Sequence, residues 1–392
     1  MTIEKLKTQY DSHVLTTYGR YPVAFTKGKG CRLWDASGKE YIDFMSGIGV
    51  CSVGHSHPQW VEAITKQAGE LAHISNLYYT KPGGELAQKL CALSGMSGAF
   101  FANSGAESSE GLIKLARKYS KDKYGPGRHV VLTLKDSFHG RTLAALTATG
   151  QDKFHHHFDP FVPGFRYVSA RDMAALKSEG DDVCALLIET VQGEGGVKPL
   201  DSDYIKQAYE LCKERDWLLM IDEVQTGIGR TGRWFGFQHY DILPDAVSFA
   251  KGIAGGLPLG GFLVNEKLKS VLGPGDHATT YGGNLICCAA ALATLEILEP
   301  VLSQVEEKGE YIRSRIEAMK LPNVAGVRGK GLMLGVEIKG LPPGEVNLKL
   351  LEAGLASLIA GTDVVRFLPP LVIGKDDMDA GLDIFETVMR RI

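Results

Sequence analysis

Lys251 closes an apolar run, Ser248-Phe249-Ala250-Lys251, and opens a glycine-rich turn, Gly252-Ile253-Ala254-Gly255-Gly256. Upstream, Trp217-Leu218-Leu219-Met220-Ile221-Asp222-Glu223 is a second buried-strand pattern that ends in carboxylates. A lysine and an aspartate at the C-terminal ends of two buried strands can face one crevice. That pairing suits pyridoxal phosphate chemistry: the amine holds the cofactor aldehyde covalently, and the carboxylate pairs with the pyridine nitrogen.

Strands must lie side by side to bring the two groups together. Apolar runs at Val130–Leu134, 185–189, 217–222, Ala246–Phe249 and 261–264 lack alternation and are separated by helical patterns. They predict a parallel sheet covered on both faces. Ligands of such sheets bind outside the carboxyl ends of the strands, where Glu189, Asp222 and Lys251 fall. Short strands are expected at 30–35 and 41–44, and a helix from about His57, with Pro58 in its first turn. After about 284 the pattern gives a long helix, 287–316, broken near Pro300, then strands at 335–338 and 364–368 and a closing helix. The fold class is therefore α/β: a large domain, 51–284, with a mostly parallel sheet, and a smaller α+β domain built from 1–50 and 285–392.

The 392 residues exceed the size at which one core keeps growing. An apolar fraction of 44% and a charged fraction of 23% are those of an ordinary globular protein. A net charge of −3 gives no electrostatic reason to expect nucleic acid or an anionic membrane as partner. No apolar stretch approaches membrane-spanning length, and Met1-Thr2-Ile3-Glu4-Lys5 lacks a signal-peptide core, so a cytoplasmic location is expected. The seven cysteines have no metal-ligand spacing; they read as reduced thiols, and no metal is expected.

Other segments carry candidate chemistry. Asn103-Ser104-Gly105-Ala106-Glu107 precedes a helical apolar face; Ser104 is a good N-cap, and the amides of Gly105 and Ala106 are open to a phosphate. A capped helix without a ligand would look the same. Phe138 and Arg141 follow the Val130–Leu134 strand, where the ring can stack on a flat cofactor and the guanidinium can fork onto a carboxylate. The alternative is a core phenylalanine beside a surface arginine. Glu189 and Glu194 flank a glycine-containing turn. Gly227-Ile228-Gly229-Arg230-Thr231-Gly232 matches the dinucleotide fingerprint but fails on context, because its first glycine does not end the strand. His155-His156-His157, like His55 and His57, reads as loop rather than metal site.

Taken together, the segments from about Tyr18 to Ile373 resemble the class III (ω-) aminotransferases, most specifically in Ile221-Asp222-Glu223-Val224-Gln225-Thr226-Gly227 and Ala250-Lys251-Gly252. The resemblance implies pyridoxal 5'-phosphate as cofactor, with Lys251 and Asp222 as catalytic residues. It implies that Gln225 bonds the phenolic oxygen of the ring, Ser104, Gly105 and Ala106 hold the phosphate, and Phe138 stacks. Thr280 would reach the phosphate of a neighbouring subunit, making the active unit a homodimer. It further implies that Arg141 grips the carboxylate distal to the reacting amine, that Tyr18 contacts substrate, and that Glu194 and Arg366 form a gate admitting amino- and 2-oxo-acid substrates in turn. Members acting on ornithine itself carry tyrosine where Ile48 stands. Isoleucine fits those acting on N-acetylornithine or 4-aminobutyrate, and Ser75-Asn76-Leu77-Tyr78 favours the former. Ser108, Ser109, Gly111 and Leu285 depart from the family's usual residues, at positions expected to affect packing rather than chemistry.

Overall fold

A computed structural model describes residues 3–392. Its central sheet has seven strands in the order Gly98–Ala102, Gly260–Val264, Ala246–Phe249, Leu218–Asp222, Val183–Ile188, Val130–Leu134, Phe165–Val168. All the described neighbours pair in parallel except Gly260–Val264, which is antiparallel to both strands beside it. The sheet is thus mostly parallel, as expected, with one strand reversed. The connection from Phe249 to Gly260 is a short turn, and a parallel crossover needs a dozen or more residues. The edge strands Gly98–Ala102 and Phe165–Val168 were not anticipated, being short and only partly buried.

Helices cover both faces of the sheet. Gly105–Tyr124 lays Leu112, Leu115, Ala116 and Tyr119 against Phe262 and the strands beneath it. Each such side chain contributes about 1.5–3 kcal/mol when fully buried, an upper value because unfolded chains already hide some surface. Leu285–Leu298 packs against Pro58–Glu70, Lys81–Ser94 and the Lys251–Ala254 turn. The Leu285–Ala318 segment is in fact long and apolar enough by composition to cross a membrane. Its first helix is buried over most of its residues, and that interior position accounts for the apolar character. The break near Pro300 is a 3-10 turn, Glu299–Gln304, before the helix Val305–Ala318.

N- and C-terminal segments share a sheet: Phe25–Lys29, Arg32–Asp35 and Glu40–Asp43 are joined by Leu355–Ala356, with Leu355 in register with Ile42. A second antiparallel sheet holds Val324–Lys330, Met333–Ile338, Val364–Phe367 and Leu358–Ala360. Arg230, in the rejected dinucleotide fingerprint, fastens this sheet to the large one. It is 2% exposed and donates to the carbonyls of Leu332 and Pro369 at 3.0 and 2.6 Å. Burial pushes its pKa down to about 9, opposed by the Asp43 carboxylate.

Candidate active site

Asp222 ends its strand beside Ser248, in register with it. The Ser248 hydroxyl and the Val224 N–H donate to its Oδ1, each at 3.0 Å, while Oδ2 lies 2.8 Å from His139 Nδ1. Every contact turns the carboxylate, 4% exposed, into a fixed acceptor. His139 was missed in the sequence although it adjoins Phe138; its other ring nitrogen is buried without a hydrogen-bond partner among the described residues.

Lys251 lies two residues past the neighbouring strand. Its backbone is left-handed (φ 42°), a conformation that costs a long L-residue about 1–3 kcal/mol and recurs where function requires it. The amine has no hydrogen-bond or ion-pair partner among the described residues. Desolvation pushes its pKa down, opposed first by the Glu194 carboxylate, and so increases the share of free base at neutral pH.

Both residues line one cavity of about 400 Å³, together with Ser104, Gly105, Ala106, Phe138, His139, Arg141, Glu189 and Gln225. At one end the Gly105–Tyr124 helix begins. The Ser104 hydroxyl accepts the Glu107 N–H at 3.2 Å, which leaves the Gly105 and Ala106 amides without intrahelical partners. A Cβ at Gly105 would come within 2.8 Å of Val224, so only glycine keeps this cradle open. Ser108, a departure from the family's usual residue, braces it: its hydroxyl contacts the Ser104 and Phe249 carbonyls at 2.8 and 3.2 Å and accepts from Gly261 N–H at 2.8 Å. Gly111 is required by packing, since a Cβ there would sit 2.3 Å from the Phe262 ring.

These features fit pyridoxal phosphate: free helix amides for its phosphate, the half-buried Phe138 ring in the cavity wall, a fixed carboxylate and an amine without a partner among the described residues. The bound cofactor would be held by residues from four separate strand ends.

Glu189 closes the wall behind Phe138. Its carboxylate accepts the Phe138 N–H at 3.0 Å and the Gly193 N–H at 3.3 Å, and burial pushes its pKa up to about 7. Glu194 follows in the hairpin between Val191–Gln192 and Lys198–Pro199. It meets Arg366, from the other sheet, at 2.7 Å. The same guanidinium nitrogen donates to Gln225 Oε1 at 3.2 Å, so the pair abuts the cavity. Arg366 holds the Glu194 pKa down against desolvation, which on its own would raise it.

Two proposed contacts lie elsewhere. Thr280 is exposed and does not line the cavity, and Tyr18, 74% exposed, lines a separate hollow formed with the N-terminal helix. Within one chain, neither reaches the site. Among the described residues no cluster of potential metal ligands is found. His155, part of the histidine run, is half-buried rather than fully solvated, with Nε2 3.0 Å from the Leu146 carbonyl.

Residues 15–389 match the family described as aminotransferase class III. The chain is 46% identical to the acetylornithine aminotransferase of Caldanaerobacter subterraneus subsp. tengcongensis, covering 98% of this chain and 99% of that protein. It is also 46% identical to the protein of the same name from Haemophilus ducreyi, covering 99% of each. Among solved structures it superimposes on acetylornithine aminotransferase from Elizabethkingia anophelis with a TM-score of 0.89, at 32% identity over 100% of both chains. For ornithine aminotransferase from Toxoplasma gondii the TM-score is 0.95, at 32% identity over 100% of this chain and 96% of that one.

Proposed function

The chain belongs to the class III aminotransferases, and from that premise we propose that it moves the terminal amino group of N-acetylornithine to 2-oxoglutarate, giving N-acetylglutamate semialdehyde and glutamate for arginine biosynthesis. The observation that carries this reading is the unequal state of two arginines. Arg366 is clamped by Glu194, whereas Arg141 has no hydrogen-bond or ion-pair partner among the described residues. One free guanidinium at the cavity mouth suits a donor with a single carboxylate distant from the reacting amine.

Pyridoxal phosphate, when bound, supplies an electrophilic aldehyde and an electron-withdrawing pyridinium. Lys251 would hold the aldehyde covalently, and its amine, as free base, would move the proton at the substrate carbon that bears the reacting amine. Asp222, kept in place by Ser248, Val224 and His139, would pair with the pyridine nitrogen. Gln225 would bond the phenolic oxygen, Phe138 would stack on the ring, and Ser104, Gly105 and Ala106 would take the phosphate. In the return half-reaction Arg366 leaves Glu194 and receives the α-carboxylate of glutamate or 2-oxoglutarate.

That exchange makes a prediction. In Glu194→Gln, Arg366 loses its charged partner and stands free for an α-carboxylate. The preference for N-acetylornithine over glutamate as donor, measured as a ratio of kcat/KM, should fall about 10- to 100-fold, as expected for a charge-assisted hydrogen bond of ~1.5–3 kcal/mol. An unchanged ratio would contradict the gate.

The assembly belongs to the same reading. Leu77, Tyr78, Tyr79, Leu143 and Tyr281 are 63% exposed or more. Asn76 ties the 75–79 segment to the 279–283 loop through Gly282 O at 2.8 Å, and Asn103 of the phosphate cradle bonds Thr279 at 3.2 Å. Thr280 thus stands in an exposed apolar surface next to the cradle, which suits a homodimer whose sites are shared. Sedimentation should give a dimer at micromolar concentration, and Tyr79→Asp should weaken it; a monomer throughout would refute the arrangement. A cytoplasmic location accords with seven unpaired cysteines, five of them buried.

The donor is tested by mixing the holoenzyme with one amine at a time and following the loss of the cofactor's yellow absorbance. N-acetylornithine should bleach it fastest. A hydrophobic pocket separates substrates one methylene apart by only ~1–3 kcal/mol, so succinylornithine and 4-aminobutyrate are the competitors to include. Faster bleaching by 4-aminobutyrate would assign the enzyme to that donor instead.

A further inference from the structure

Arg141 is exposed at the cavity mouth, without hydrogen-bond or ion-pair partner among the described residues, yet it is not loose. Its guanidinium carbon lies 4.1 Å from the centre of the Phe154 ring and 5.6 Å from that of Phe138. The two rings meet edge to face, with centres 5.7 Å apart and planes at 75°. Phe154 sits half-buried on the short turn Asp152–Phe154 and belongs to none of the apolar cores, so packing alone gives no reason for an aromatic there. Lys153 also places its ammonium over this ring, at the longer distance of 4.8 Å.

We infer that Phe154 is a positioning residue that orients Arg141 to receive the distal carboxylate of the substrate; the inference rests on the reading of Arg141 given above. A guanidinium stacked on a ring keeps its N–H groups in its own plane, where they form the fork that matches a carboxylate. Because Phe154 abuts Phe138, the ring assigned to cofactor stacking, the fork is referenced to the plane in which the reaction occurs. The spacing between carboxylate and reacting amine is then set by three neighbouring side chains, Phe138, Phe154 and Arg141. That spacing selects the length of the donor.

The test uses the holoenzyme and glutarate, a dicarboxylate with neither amine nor oxo group, titrated by calorimetry, together with steady-state kinetics on N-acetylornithine. In Phe154→Leu, glutarate binding should weaken and the donor KM rise by about three- to thirtyfold, the range of a cation–aromatic contact. The kcat should stay within about twofold. Phe154→Tyr should restore both. In an Arg141→Ala background, where binding is already weak, Phe154→Leu should add nothing. If Arg141→Ala weakens glutarate but Phe154→Leu does not, or if the two losses simply add, Phe154 does not act through Arg141. If Arg141→Ala leaves glutarate binding intact, the assignment of Arg141 itself fails and the inference with it.

Discussion

Lys251→Ala should leave a folded protein that has lost transamination almost entirely. The amine has two tasks, holding the aldehyde and moving the proton, and general-base catalysis alone is worth about 10²- to 10⁴-fold. The fold should tolerate the change, because the amine makes no hydrogen bond or ion pair among the described residues, and alanine removes a buried amine whose charged form desolvation disfavours. Thermal stability of the cofactor-free variant should therefore equal or exceed that of the parent, while single-turnover rates with N-acetylornithine fall by at least the upper end of that range. Added methylamine should recover part of the rate by supplying a free base. A variant turning over within tenfold of the parent would end the proposal for Lys251.

Asp222→Asn should be the second most damaging change, for a different reason. The amide keeps the shape and can still accept from Ser248 or Val224, but it removes the charge opposed to a pyridinium and offers His139 an altered partner. Loss of a charged hydrogen bond in a buried site costs about 1.5–3 kcal/mol, so cofactor affinity should fall at least tenfold. The proton-transfer step should slow by several orders of magnitude, because an unprotonated ring withdraws electrons poorly. Equilibrium dialysis gives the first quantity and single-turnover absorbance the second. Unchanged values for both would mean that another group serves the ring nitrogen.

Much of this site could be read from the chain. Strands such as Val130–Leu134 and Ala246–Phe249 lie within the runs anticipated, because a strand buried on both faces must be apolar throughout. Lys251, Asp222 and Phe138 were legible as candidates because each sits at or shortly after the end of such a strand, and Ser104 because it stands in a capping segment whose role is local. The direction of the Gly260–Val264 strand was not legible, since an apolar run looks the same in either direction. His139 was overlooked although its neighbour was noted: nothing local distinguishes a histidine facing Asp222 from one facing solvent.

The amino-acid sequence by itself determined which residues bear chemistry and which segments become buried strands, for these follow from side-chain type and from periodicity along a few turns of chain. Tertiary structure alone decided the partnerships: Asp222 with His139, Glu194 with Arg366 from the second sheet, Arg141 with Phe154. Each depends on the register and facing of elements far apart in the chain. A one-residue shift in a strand turns every side chain to the opposite face, and no local pattern records which face meets which.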